Sequence, residues 1–198
     1  GPKMTLIDAD GGSWGDYDAL IVSTPPVQAA QLLAGLAPLT EQLKTVVMTP
    51  CWAVMLAFAE PVCLPFDGAF VHDAEIAWAA RNSSKPGREG DECWVLHAGA
   101  DWSQANISAE PETVISRLSA SFSTAAGQTL PQPRLAIAHR WRYARVQQPL
   151  SIGCLWDRQS RIGICGDWCH GSRIEGAYLG GAAIAGQIVA HQMPAAPG

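Results

Sequence analysis

A strand, a glycine-aspartate turn and a glycine-studded apolar helix follow one another between residues 163 and 192, and this succession constrains the fold more than any other part of the sequence. Gly163-Ile164-Cys165 reads as the end of a buried strand, Gly166 lets backbone pass close to a ligand, and Asp167 offers an acceptor for hydroxyl groups. After a polar loop, Ile174 to Gln192 reads as a helix. Gly176, Gly180, Ala183 and Gln187 share one of its faces, mostly small, so a neighbouring sheet can approach closely. Each glycine in a helix interior costs about 0.8 to 1 kcal/mol relative to alanine, so a packing or ligand-binding reason is expected. The first N–H groups of the helix have no partner within it and favour an anionic oxygen. A strand-loop-helix corner with no ligand satisfies the same spacing.

The rest of the chain supplies the sheets around this corner. Met4 to Ala9 reads as a strand ending at an Asp10-Gly11-Gly12 turn, and Asp18 to Ser23 as a short buried strand. Ser23 or Thr24 then caps a helix, with Val27, Ala30, Leu33 and Leu36 at helical spacing down to Pro38. Trp52 to Ala59, Glu75 to Ala80, Cys93 to Ala98 and Arg134 to Tyr143 read as strands without a strand-helix rhythm. One helix, from Glu110 or Pro111 to Ala126, carries Val114, Ile115, Leu118 and Phe122 inward. Cys154 to Trp156 and Arg161 to Cys165 form a hairpin. The expected class is α/β with an α+β part: pieces of a Rossmann-like domain plus a mostly antiparallel sheet covered by a helix. The expected division is 1–36, 37–151 and 152–192, with 193–198 a frayed tail.

Composition excludes several function classes. With 198 residues, 48% of them hydrophobic and 16% charged, the chain has material for a real core. No apolar run reaches the roughly 18 to 20 residues of a membrane span, so no membrane partner is expected. Thirteen basic against eighteen acidic residues, without a Lys/Arg cluster, argue against nucleic acid. The six cysteines lie mostly inside apolar runs with no secretory leader before them, which fits a reduced, cytoplasmic setting. Cys165 and Cys169, four apart, match neither a zinc knuckle nor a CxxC pair, and no metal site is indicated. No arrangement for hydrolysis stands out.

The segment from Gly163 to Gly181 resembles the C-terminal flavin motif of the FAD-dependent oxidoreductases related to monoamine oxidase. Asp18 to Pro26 resembles that family's strand leading out of its FAD domain, and Ala77 to Arg88 and His139 to Ala144 look like segments of the bacterial renalase-like branch. The resemblance implies FAD as cofactor, with Gly166 and Asp167 at the ribityl chain. It places Arg173 and the backbone of Ile174, Glu175 and Gly176 by flavin N1 and O2, where a helix N-terminus stabilises the negative charge of the reduced ring. It further implies hydride transfer to flavin N5 from a reduced pyridine nucleotide or an amine, with dioxygen as acceptor. The family begins with a strand, a GxGxxG turn and a helix that bind the ADP half of FAD. Asp10-Gly11-Gly12-Ser13-Trp14-Gly15 is too short for that fingerprint and opens no helix. Together with Gly1-Pro2-Lys3 ahead of Met4, which reads as a scar or as the middle of a longer protein, this likens the chain to the C-terminal portion of a flavoprotein.

The same resemblance puts Lys85 near flavin N5 and His170 near cofactor or substrate as candidate catalytic residues; a solvated loop lysine and a bystander loop histidine are the plainer alternatives. Asn82, Trp141 and Tyr143 are the candidate substrate-pocket residues. On the strand from Arg134 to Tyr143, His139, Trp141 and Tyr143 share one face and Arg140 and Arg142 the other. The aromatic face either walls a flat substrate or packs on the helix with the arginines in solvent. A non-catalytic module that self-associates or binds a partner through an apolar, glycine-rich face is the reading from another class.

Overall fold

The computed structural model describes residues 3–192; Gly1, Pro2 and the expected tail at 193–198 lie outside the described residues. Along the chain come β1 (Met4–Ile7), β2 (Ser13–Tyr17), β3 (Leu20–Val22), α1 (Pro26–Leu32), α2 (Ala37–Leu43), β4 (Met48–Phe58), β5 (Gly68–Phe70) and β6 (Ile76–Arg81). β7 (Glu92–Ala98), α3 (Ala100–Ala105), α4 (Pro111–Ala126), β8 (Leu135–Val146), β9 (Leu155–Asp157), β10 (Ile162–Ile164) and α5 (Ile174–Gln192) follow, with a single 3-10 turn at Asp167–Cys169 between β10 and α5. The class is the expected mixture of helix and sheet. Two units divide it: 1–48 with 145–198, and 49–144.

In the first unit, β10 pairs parallel with β3 and antiparallel with β9, the expected hairpin. Val22, Ala29, Leu33, Leu43, Ile164 and Trp168 belong to its buried core. Three expectations change here. The helix expected to run on to Pro38 is two helices, because Gly35 adopts φ +98, a left-handed backbone that ends a helix, and Pro38 sits in the first turn of the next. Neither Ser23 nor Thr24 caps α1; Pro25 holds that position without a side-chain bond. The Asp10-Gly11-Gly12 turn forms as expected, but it leads into a second strand, so that β1 and β2 make an antiparallel hairpin. Asp8 organises the turn: its carboxylate accepts from the N–H groups of Asp10 and Gly12 and from Trp14 Nε1.

The small face of α5 is there for packing. A methyl on Gly176 would lie 2.5 Å from Gly171 O, and one on Gly180 would lie 3.1 Å from Gly166 O and 3.4 Å from Gly153 O. Gly163 on β10 does the same from the sheet side, since its methyl would lie 2.7 Å from Ile184 Cγ1. Gln187, at the far end of that face, is exposed.

The second unit is a five-stranded sheet in the order β5-β6-β7-β4-β8. Strand alternation sends Trp52, Val54, Leu56 and Phe58 of β4, and Trp94, Leu96 and Ala98 of β7, to one face. Val114, Leu118 and Phe122 of α4 cover that face, and Gly127 closes α4 with φ +66. Burying each such side chain stabilises the unit by about 1.5 to 3 kcal/mol. One buried polar group completes this core: Ser103, fully buried, accepts from Trp52 N–H at 3.0 Å.

β8 overturns one alternative from the sequence. Ala136 and Ala138 pack on the core, and Arg140 lies on their side, its guanidinium 5.5 Å from the Trp52 ring centroid and donating to Ile107 O. Ile137, His139 and Trp141 take the opposite, exposed side. The arrangement with aromatics on the helix and arginines in solvent is therefore reversed at Arg140, because the guanidinium can stack flat on an indole while its donors reach a carbonyl.

Candidate functional site

The first unit gathers Gly166, Asp167, His170, Arg173, Ile174, Glu175 and Gly176 between the end of β10 and the start of α5. β3 and β10 run parallel, so Thr24 and Gly166-Asp167 follow the carboxyl ends of adjacent strands, where open α/β sheets take their ligands. Cys165 N–H donates to Val22 O and fixes the two ends side by side. Past Gly166 the chain tightens: the N–H groups of Cys169, His170 and Gly171 donate to Gly166 O, Asp167 O and Asp167 O respectively. That turn buries Trp168, whose indole lies against Gly166.

Three polar features are left looking for a partner. Thr24 Oγ1 and Trp168 Nε1 are buried without a hydrogen bond. The first intrahelical bond of α5 is Ala177 N–H to Arg173 O, so the N–H groups of Ile174, Glu175 and Gly176 precede any acceptor in the helix. Burial pushes the Asp167 carboxyl above the ordinary carboxylate value, against the lowering effect of backbone N–H groups. A cleft of about 520 Å³ runs along the start of α5, with Arg145, Val146, His170, Ser172, Arg173 and Glu175 among its walls. Ser172 holds this cleft's wall by accepting Val146 N–H at 2.7 Å. Ile174 itself is 92% exposed, so it can serve a ligand only through its backbone.

The second unit does not bring its four expected residues together. Lys85 is exposed in the β6–β7 connection, where its N–H donates to Asn82 O, and Asn82 N–H donates to Cys93 O. Trp141 and Tyr143 lie on β8, at the opposite edge of the sheet from β6, with β7 and β4 between. Three strand spacings are about 14 Å. Trp141 instead belongs to an open sheet face with Met55, Trp78, His97, Ile137 and His139. Trp78 and His97 are cross-strand partners with ring centroids 4.9 Å apart, and His139 and Trp141 rings meet at 4.4 Å. Burial lowers the His97 pKa, favouring the neutral imidazole. Trp78, His97, Thr24 and Trp168 were not among the residues expected from sequence; the alternation across 93–97 carries a signal for His97, whereas nothing local marks an unsatisfied hydroxyl.

Among the described residues no three His, Cys, Asp or Glu side chains gather as a metal site, and no helix is long and apolar enough to cross a membrane.

No family model matches the sequence. Solved structures do. A protein provisionally assigned as a protoporphyrinogen oxidase from Exiguobacterium sp. 255-15 superposes with TM-score 0.70 at 16% identity, over 91% of this chain and 43% of that one. Cyclohexylamine oxidase from Brevibacterium oxydans IH-35A gives TM-score 0.63 at 14% identity, over 90% and 45%. A putrescine oxidase redesigned in its cofactor binding gives 0.66 at 11%, over 94% and 46%. The chain has the fold of these oxidases. It spans less than half the length of each.

Proposed function

We propose that this chain carries the flavin-ring side of an FAD-dependent oxidase, related in activity to the amine oxidases and to the renalase-like branch. The observation that carries the reading is the corner itself: two parallel strand ends, a close-packed Gly166-Asp167 turn with an unpartnered Thr24 hydroxyl beside it, and the open N-terminus of α5. These residues fit the cofactor. Asp167 would accept from ribityl hydroxyls, which relieves a carboxyl that burial now disfavours, and Thr24 Oγ1 would gain its missing bond. The N–H groups of Ile174 to Gly176, with Arg173 before them, would face flavin N1 and O2. FAD, when bound, supplies a two-electron acceptor for a substrate hydride.

The chain's residues then orient and polarise. The helix N-terminus holds negative charge at a fixed place without reorganising. His170 at the rim of the first unit's cleft is proposed as a proton-handling group. In the second unit Lys85 with Asn82 in the β6–β7 connection, and Trp141 with Tyr143 on β8, are proposed as two separate sets of water or substrate contacts, three strand spacings apart. A reduced pyridine nucleotide is the first substrate class and a primary or secondary amine the second, with dioxygen as acceptor. The native polypeptide, purified without denaturant, should carry flavin absorbance that reduced nicotinamide or an amine bleaches under anaerobic mixing. Purified native polypeptide without flavin, and taking none up, overturns the reading.

The second reading is a non-catalytic module that self-associates. Ile174 at 92%, Tyr178 at 74% and Val189 at 57% exposure on α5 favour it. Concentration-dependent light scattering with no FAD uptake would select it.

A further inference from the structure

The three thiols of the first unit lie around the Gly166-Asp167 turn, and backbone register singles out two of them. β10 has β3 on one side and β9 on the other. Leu20 N–H donates to Arg161 O and Cys165 N–H donates to Val22 O, so Arg161 and Cys165 direct their backbone groups at β3, as Gly163 does between them. Ile162 and Ile164 direct theirs at β9, opposite Asp157 and Leu155. The ladder ends at Ile164 opposite Leu155; its register, carried one residue past both strand ends, brings Cys165 to the position facing Cys154, where a continued ladder would hold a non-hydrogen-bonded pair. That is the closer kind of cross-strand pair, with Cα atoms about 4.5 Å apart. A disulfide spans Cα separations of about 4.4 to 6.8 Å.

The two side chains leave the strands on one face, the face of Gly163 and Trp156 on which Ile184 of α5 packs. Neither is bonded to another cysteine. Burial raises both thiols above the ordinary value, and the neighbouring Cys165 further disfavours ionisation of Cys154. Cys169 is fully buried in the 3-10 turn, its thiol pushed up to about 12.

We propose that Cys154 and Cys165 form a reversible disulfide under peroxide, a modification site at the foot of the Gly166-Asp167 turn. The half-buried Cys154, as thiolate, attacks one peroxide oxygen; the O–O bond breaks, the departing hydroxide takes up the thiol proton as water, and a sulfenic acid remains. Cys165 sulfur displaces the second water as the Sγ–Sγ bond forms. Two thiols lose two electrons and two protons, and one hydrogen peroxide becomes two waters. Raised thiol pKa values slow the first step, so the site answers sustained oxidant, and thiol–disulfide exchange with an added dithiol returns it to two thiols. This inference is independent of the flavin reading, since added hydrogen peroxide is the oxidant.

The test treats the folded full chain with hydrogen peroxide, caps remaining thiols with N-ethylmaleimide, and digests with trypsin without reduction. Peptides 146–158 and 162–173 should be recovered joined, two hydrogens lighter than their sum, and released by dithiothreitol. The second peptide holds both Cys165 and Cys169, so variants decide the pairing. The link should persist in Cys169→Ser and vanish in Cys154→Ser and Cys165→Ser. Recovery of the two peptides only as capped or overoxidised species overturns the proposal, as does a link that survives Cys165→Ser and is lost in Cys169→Ser.

Discussion

A methyl group is too large for Gly176. The atom it would meet is backbone, Gly171 O at 2.5 Å, which cannot rotate aside as a side chain can. Gly176→Ala should therefore push the start of α5 off the loop before it and cost about 1 to 3 kcal/mol, read as a lower urea midpoint with unchanged slope. Gly181→Ala, with nothing within 4 Å of its methyl, should lose no stability. Asp167 makes the complementary case. Burial raises its folded pKa above 3.8, so its stability contribution is fully present below the unfolded value and lost as pH climbs through the raised one. Asp167→Asn removes that loss. In ligand-free protein the variant should be more stable than the parent at about pH 7 and gain nothing near about pH 3, as followed by thermal unfolding across pH. The glycine spacing was legible in the sequence because a helix that spends propensity on glycine must be repaid by contact. Which backbone atom each glycine meets was not, since Gly171 and Gly153 approach α5 from loops without periodicity.

At the scale of elements, long periodic segments were readable, and so were β3 and the β9–β10 hairpin, marked by turn residues, whereas β2, β5 and α3 were not. α4 and α5 show their apolar or small stripes over many turns, β7 alternates in burial, and β4 is a nearly continuous apolar run. β5 has three residues and α3 six, and both form because neighbours hold them: β5 by pairing with β6, α3 through Ser103 and Trp52. The same reasoning explains why β8 was ambiguous. Its two faces both carry aromatic or cationic side chains, and the packing of Ala136 and Ala138 on the core, with Trp52 beneath Arg140, decides which face turns inward. Ser103→Ala would orphan the buried Trp52 N–H, at a cost of about 1 to 3 kcal/mol. Phe122→Ala, removing a ring that packs 5.1 Å from Trp94, should cost more, about 3 to 5 kcal/mol. Equilibrium denaturation of both variants checks the order as well as the size.

At the scale of the whole chain, eight tryptophans raised the question whether indoles wall something or simply fill cores. They fill cores in some places and stand exposed in others. Trp52, Trp94 and Trp168 are 3%, 0% and 1% exposed and belong to the two cores. Trp14 and Trp141 are 60% and 56% exposed, on the β1–β2 hairpin and on the open sheet face. Composition could not separate these populations, because burial of an indole depends on which strand face it occupies, and that depends on register. The separation has an optical consequence. Acrylamide should quench part of the intrinsic fluorescence readily and leave a blue-shifted remainder from the buried indoles, so the Stern-Volmer plot should bend downward. Replacing Trp14 and Trp141 by Phe should remove the quenchable, red-shifted part and straighten the plot. A plot already straight in the parent would mean that one class of environment holds all the emitting indoles, and the exposed aromatic face would then be covered in solution.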